Sequence, residues 1–134
     1  PTTGLVTWIP WDNNMALAES RGGGPGGSGD VVALDLENVN NGWPLIRYLA
    51  DDPVYHEIYV NYVDELVNTV FAPERMTAIY EEYHDLVAPY VAAEQPNATT
   101  SSAPENFDAT LTQLIEHVNG RYTLAQEYVM SQTQ

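Results

Sequence analysis

The sequence predicts an α+β chain that is mostly α, with a short N-terminal strand or hairpin followed by helices. Two patterns carry this prediction. Residues 5–11, LVTWIPW, are rich in β-branched and aromatic residues, as strands are. From Trp43 onward, apolar residues instead recur every three or four positions, which is the helical period. The length of 134 residues suits one domain with a core of its own.

Three features are expected before the helices. Pro10 cannot donate a backbone hydrogen bond, so the strand at 5–11 is placed at a sheet edge or ends there. Residues 18–30, AESRGGGPGGSGD, are dominated by glycine. Their side chains bury too little surface to offset the conformational entropy lost on ordering, so these residues are predicted to form a mobile loop. A short extended segment, VVALDL, is expected to follow.

Prolines mark the start of the first helices, because a first-turn proline sacrifices no helical hydrogen bond. Pro44 is predicted to open a short helix through Ala50, and Asp52 to cap a helix that ends near Phe71. The residues expected to face the core along that second helix are Tyr55, Ile58, Tyr59, Tyr62, Leu66 and Val70.

Two longer helices complete the prediction. Pro73 starts one that Pro89 should kink or end, with its apolar stripe at Met76, Ile79, Tyr80, Tyr83, Leu86, Val87 and Tyr90. The last runs from about Glu105 to Met130, and Ser102 and Glu105 are spaced as a capping box. Gly120 indicates a bend or a close helix approach. The expected buried face is Phe107, Leu111, Leu114, Ile115, Val118, Tyr122, Ala125 and Val129.

Composition excludes several classes of function. Four Arg, no Lys and nineteen Asp and Glu give a formal net charge of -15. Nucleic acid and anionic membranes are therefore not expected partners, because binding to both requires clustered cations. The absence of Cys rules out disulfides, thiolate zinc sites and cysteine nucleophiles within this sequence.

Two apparent motifs are weak. Residues 24–29, GPGGSG, match G-x-G-x-x-G literally, but a strand-like segment follows where a dinucleotide site needs a helix. A P-loop is excluded because the chain has no Lys. The three histidines, His56, His84 and His117, stand on separate predicted helices without a partner four residues away, so they are interpreted as surface residues.

Asp12 and Asn14 are the candidate metal ligands. They follow the apolar strand and alternate by two, so in an extended chain their oxygens project to the same side. Carboxylate and carboxamide oxygens are ligands for Mg²⁺, including Mg²⁺ bound to phosphates. An Asx turn that closes the strand explains the same residues equally simply, and spacing alone leaves both interpretations open.

A family resemblance adds to this. The order WIPWDNNMAL, a glycine loop, WPLIRYLADDPVYHEIYVNYVDELV, FAPERMTAIYEEYHDLVAPYV and FDATLTQLIEHVNGRYTLAQEYV resembles the C-terminal part of the spore-coat protein H (CotH) kinase-like family. The resemblance implies that residues 1–134 form the C-terminal helical part of a protein-kinase-like fold. Its strand and metal motif would span 5–16, its glycine-rich loop 18–30 and its helical part 43–131.

The resemblance also implies a role for the strand end. Asp12 would coordinate Mg²⁺ on the phosphates of ATP, as the metal-binding aspartate of kinases does, with Asn14 at the second polar position of the motif. A kinase also needs a nucleotide-pairing Lys and an upstream catalytic Asp, and this sequence has no Lys. We therefore expect a fragment that transfers no phosphate alone and is completed by a missing N-terminal part, on the same polypeptide or on a separate chain.

The remaining expectations concern partners and location. Completed in that way, the protein would act on a hydroxyl group of a protein substrate. The alternative is a non-catalytic structural or binding module of an extracellular or cell-surface assembly, whose acidic surface would receive a basic partner. An extracellular or cell-surface location is expected for either function.

Overall fold

The computed structural model describes residues 34–37, 39–93 and 106–133. These contain the helices α1 (Pro44–Asp51), α2 (Pro53–Asn68), α3 (Pro73–Ala93) and α4 (Phe107–Gln132), and no strand occurs within them. The chain divides into two units, Pro1–Val31 and Val32–Gln134, and all described residues belong to the second. The mostly helical prediction is confirmed there. The strand at 5–11, the glycine loop at 18–30 and the capping box lie outside the described residues.

The predicted extended segment VVALDL is wrong for residues 34–36, which form a turn. The Asp35 carboxylate accepts a hydrogen bond from the backbone N–H of Glu37 at 2.9 Å, and Val39 N–H donates to the Leu36 carbonyl at 3.0 Å. Such local bonds offer the backbone an alternative to pairing in a sheet. An aspartate inside an apolar run was the sequence signal for this turn.

The helix starts follow the sequence closely. Pro44, Pro53 and Pro73 are each the first residue of their helix. The Asp52 carboxylate accepts hydrogen bonds from the N–H groups of Val54 at 2.9 Å and Tyr55 at 3.3 Å, which confirms its predicted role as N-cap. Helix α2 ends at Asn68, slightly before the expected Phe71.

Pro89 does not end α3, which continues to Ala93. A proline inside a helix frees the carbonyl of the residue four positions earlier. Here that residue is Asp85, which is exposed, so water can satisfy the freed carbonyl. Helix α3 therefore does not end at Pro89, and the kink that the sequence allowed as the alternative stays a prediction.

The core lies between α2 and α4. Val60, Val63 and Val67 of α2 are buried with Ala125 and Tyr128 of α4, and Val118 of α4 is 0% exposed. The predicted face of α4 is confirmed, because all its members are buried or half-buried. Helix α3 also packs against α4, and α1 packs against α2.

The predicted core stripes of α2 and α3 are largely wrong. On α2, Tyr55 is 50% and Tyr62 66% exposed, because the helix carries a second apolar stripe of smaller valines and packs through that one. On α3, Met76, Ile79 and Tyr80 are half-buried, but the rest of the stripe is exposed. We call these exposed residues the open apolar faces: Tyr55, Ile58, Tyr62 and Leu66 on α2, and Tyr83, Leu86, Val87 and Tyr90 on α3.

Two tyrosines close one end of the core. The rings of Tyr59 and Tyr128 lie 6.1 Å apart at an angle of 57°, and the Tyr59 hydroxyl donates to the Leu34 carbonyl at 2.9 Å. Burial raises the pKa of Tyr59, and the nearby Tyr128 and Asp35 raise it further against the opposing effect of Arg121. The folded protein therefore favours the neutral phenol.

Raising the pH should weaken the fold through these phenols. Because the folded-state pKa lies above the ordinary phenol value of 10.0, the contribution of the neutral phenol to stability is complete below pH 10 and is lost as the pH rises through the folded-state pKa. We expect the urea midpoint to fall above pH 10, and to fall less steeply in Tyr59→Phe. Tyr62→Phe is the matched control, since Tyr62 is exposed and its loss should leave the slope unchanged. Equal slopes in all three proteins would contradict this assignment.

Replacing Gly120 by Ala should stabilise the protein. Helix α4 continues through Gly120, and an added Cβ would meet no atom within 4 Å. The structure therefore shows no close helix approach there, and the alternative of a bend stays a prediction. Alanine is favoured over glycine inside a helix by about 1 kcal/mol, and the urea midpoint should rise accordingly.

Gly42→Ala provides the contrast for that substitution. Its Cβ would lie 2.9 Å from the Asn40 Oδ1 atom, which accepts the Gly42 N–H, so no gain is expected. A lower free energy of unfolding for Gly120→Ala would mean that α4 is packed at this position after all.

Candidate functional site

The two predicted metal ligands, Asp12 and Asn14, lie outside the described residues, so their role stays a prediction. Their donor chemistry suits the ion that the resemblance implies, because Mg²⁺ prefers hard oxygen ligands such as carboxylates. Within 34–37, 39–93 and 106–133, no group of three or more His, Cys, Asp or Glu side chains could hold a metal ion.

The described residues form a different candidate site, a cavity of about 450 Å³. This volume lies within the range of small-ligand sites. The turn at residues 34–37 contributes Leu34, Asp35 and Glu37. The C-terminal half of α4 contributes Arg121, Leu124, Glu127, Tyr128, Ser131 and Gln132. We call it the C-terminal cavity.

Two long-range contacts hold the turn in place. Tyr59 of α2 donates to the Leu34 carbonyl, and Arg47 of α1 donates to the Leu36 carbonyl at 2.8 Å. Leu36 has a φ of 59°, a left-handed conformation that costs a non-glycine residue about 1 kcal/mol. Arg47 therefore bonds the turn at its strained residue. The cavity wall is fixed by α1 and α2 as well as by α4.

The cavity lining is acidic. Asp35, Glu37 and Glu127 supply three carboxylates, and Arg121 supplies one guanidinium. Arg121 forms no salt bridge with any described residue. The lining thus has an excess of negative charge beside an apolar surface of Leu34 and Leu124, which favours a cationic ligand over an anionic one.

Tyr128 gives the cavity a buried polar group without a partner. The residue is 9% exposed, and within the part of the chain that the structure describes its hydroxyl has no hydrogen-bond partner. Burial and the nearby Asp35 charge raise the pKa of Tyr128. An unsatisfied buried hydroxyl costs roughly 1–3 kcal/mol, and this one has less than 1 Å² of accessible surface, so it is not open to a ligand in the cavity.

The three histidines are half-buried, and His84 and His56 both contact residues of α4. The His84 ring of α3 stacks on Phe107 of α4, with centroids 4.1 Å apart. Its Nε2 atom lies 3.1 Å from the Asp108 Oδ1 atom, and its Nδ1 atom lies 3.6 Å from the Asp85 Oδ1 atom. His56 Nε2 lies 3.0 Å from Gln132 Oε1. These contacts join helices, and none suggests a ligand role.

Sequence reasoning missed the C-terminal cavity entirely. Asp35 and Glu127 are far apart along the chain, and neither stands in a recognisable motif. Only the turn at Leu34 and Asp35, held by Tyr59, brings the two segments together. The one available signal was the isolated aspartate in VVALDL.

None of the described helices has the length and hydropathy of a membrane-spanning segment.

Comparison with known proteins assigns the family. Neither the curated proteins nor the solved structures contain a match to the chain. Residues 1–124 match the family model described as CotH kinase protein, and this range includes Asp12, α1, α2, α3 and most of α4. The chain belongs to the CotH kinase family.

Proposed function

We propose that this chain contributes the metal-binding end of a CotH-type kinase site, for transfer of a phosphoryl group from ATP to a protein hydroxyl. The observation that carries the proposal is the family match over residues 1–124, which includes the WIPWDNN segment with Asp12. Membership of the family makes a kinase-related function the starting point. The donor chemistry of Asp12 and Asn14 supports the assignment of the metal ligands.

Asp12 would hold Mg²⁺ through its carboxylate, and Asn14 would add a carboxamide oxygen beside it. Bound there, Mg²⁺ would neutralise charge on the ATP phosphates during transfer. Phosphoryl transfer depends mainly on positioning and charge stabilisation, so the contribution of the chain is to fix these oxygens. The apolar strand that the sequence predicts at 5–11 would suit that task.

The rest of the site is proposed to come from an N-terminal part of the kinase-like fold, on the same polypeptide or on a separate chain. The sequence has no Lys to pair with nucleotide phosphates. The open apolar faces give structural support, since each of their eight residues is at least 44% exposed. Large apolar side chains exposed along one face of a helix are typical of an interface. We propose that the N-terminal part covers the face on α2.

A second candidate function is a non-catalytic structural or binding module of an extracellular or cell-surface assembly. The net charge of -15 favours it, because such a surface attracts basic partners. Family membership alone does not establish catalysis. Calorimetry separates the two functions: binding of ATP with Mg²⁺ by the complete protein supports the kinase, and its absence supports the module.

Removing the Asp12 carboxylate should abolish most phosphoryl transfer. In the complete protein, Asp12→Ala should lower the rate of autophosphorylation by about 100-fold or more, because charge stabilisation at the phosphates is lost. The measurement is transfer of labelled phosphate from ATP in the presence of Mg²⁺. Asn13→Ala is the matched control, since Asn13 adjoins the proposed ligands without being one. Full activity in Asp12→Ala would refute the metal role.

The α2 face can be tested by comparing two forms of the protein. Tyr62→Ala should change the free energy of unfolding of the isolated chain by less than about 0.5 kcal/mol, because Tyr62 is exposed there. In the complete protein the same change should cost about 3 kcal/mol if another part covers the ring. Asn61→Ala, at the neighbouring exposed position, should be small in both forms. Equal small effects of Tyr62→Ala in both forms would contradict the cover.

A further inference from the structure

We propose that the C-terminal half of α3 docks an amphipathic helix with basic flanks, supplied by a protein partner. The surface consists of the α3 members of the open apolar faces, Tyr83, Leu86, Val87 and Tyr90, and we call it the α3 face. The proposal depends neither on the metal-binding role of Asp12 nor on the cover proposed for α2. It rests on a row of exposed apolar side chains and on the negative charge that borders this row.

The α3 face has the spacing of a helix-packing surface. Its four residues stand at positions i, i+3, i+4 and i+7, so they share one side of α3 over about 10 Å of its length. They are between 44% and 72% exposed. Earlier along α3, Met76, Ile79 and Tyr80 lie on the same side and are half-buried. The α3 face therefore continues a side of the helix that is packed in its first turns.

The same spacing favours a helix as the occupant. Helical partners dock through apolar anchors at these intervals, whereas an extended segment adds to the edge of a sheet. No strand occurs within residues 34–37, 39–93 and 106–133, so this part of the chain offers an extended segment no edge. Two of the four residues are tyrosines, a residue type enriched among the anchors of interfaces.

Carboxylates border the α3 face on both sides. On one side, Glu82 is exposed and precedes Leu86 by four residues, so the two are neighbours on the helix surface. On the other side, His84 precedes Val87 by three residues. The His84 Nε2 atom lies 3.1 Å from the Asp108 carboxylate of α4, whose side chain is 89% exposed. A partner that covers the apolar row therefore meets negative charge at each flank.

No basic residue offsets this charge. Between Arg75 and Arg121 the sequence has seven Asp and Glu and neither Arg nor Lys. Helix α3 has no basic residue in its last turn, where the helix dipole is negative. Lys or Arg beside apolar anchors would be complementary to this surface. A second copy of the chain, with its net charge of -15, and an anionic lipid surface would both be repelled.

Fluorescence anisotropy of labelled peptides tests the docking with the complete protein. The probe is an amphipathic peptide of about 18 residues, long enough to form a helix in water, with leucine on one side and lysine at the flanks. The matched peptide has glutamate in place of lysine. The lysine peptide should bind saturably with one site per chain, and more weakly at high salt. The glutamate peptide should not bind.

Four variants locate the binding. Leu86→Ala should weaken it about ten-fold, because one buried apolar anchor is lost. Leu45→Ala, at an exposed leucine of α1, is the matched control and should change nothing. Glu82→Gln should weaken binding about three-fold, as expected for one exposed charge pair. Glu57→Gln removes an equal charge at an exposed position of α2 and should have no effect.

The opposite results overturn the proposal. If the lysine peptide does not bind saturably, or the glutamate peptide binds equally well, the α3 face does not dock a basic helix. If Leu45→Ala weakens binding as much as Leu86→Ala, the attraction is not located on the α3 face. Binding by the isolated chain but not by the complete protein would mean that the N-terminal part covers the α3 face and leaves no site for a separate partner.

Discussion

The described helices depend on the packing of α4, against which both α2 and α3 lie. Where α2 meets α4 the buried side chains are small, namely Val60, Val63 and Val67 against Ala125. Nearer the N-terminus of α4, Val118 is completely buried. Because valine and alanine leave little room for rearrangement, this interface fixes the rotation of α2 about its own axis. The rotation in turn decides which apolar stripe is buried and which is left open.

The same interface positions the C-terminal cavity. With α2 fixed against α4, the Tyr59 ring lies beside the Tyr128 ring in a tilted arrangement, and the Tyr59 hydroxyl donates to the Leu34 carbonyl. Arg47 of α1 also holds the turn. Its guanidinium donates to the Leu36 carbonyl and forms a salt bridge with Asp51 at 2.6 Å. The strained turn thus persists because α1 and α2 both hold it. The wall of the cavity is a consequence of core packing and not of a local motif.

Local signals were sufficient for some of the fold. Proline at the first position of α1, α2 and α3 and the Asp52 cap act within one turn of helix, so the sequence predicted them well. The buried face of α2 could not be predicted in this way, because α2 has two apolar stripes with helical spacing. Packing against α4 determines which of the two stripes is buried. The cavity was beyond prediction, since it joins Asp35 to Glu127 through contacts distant in sequence. Asp12 and Asn14 form a local motif outside the described residues, so their role as metal ligands stays a prediction.

Charge and apolar surface together restrict what the open apolar faces can meet. Two copies of a chain with a formal net charge of -15 repel each other, so self-association through these faces is disfavoured. Residues 43–93 include nine Asp and Glu but only Arg47 and Arg75. A cover for α2 and α3 is therefore expected to combine apolar anchors with basic residues. None of the residues of the open apolar faces lines the C-terminal cavity, so the two are separate surfaces of the described helices.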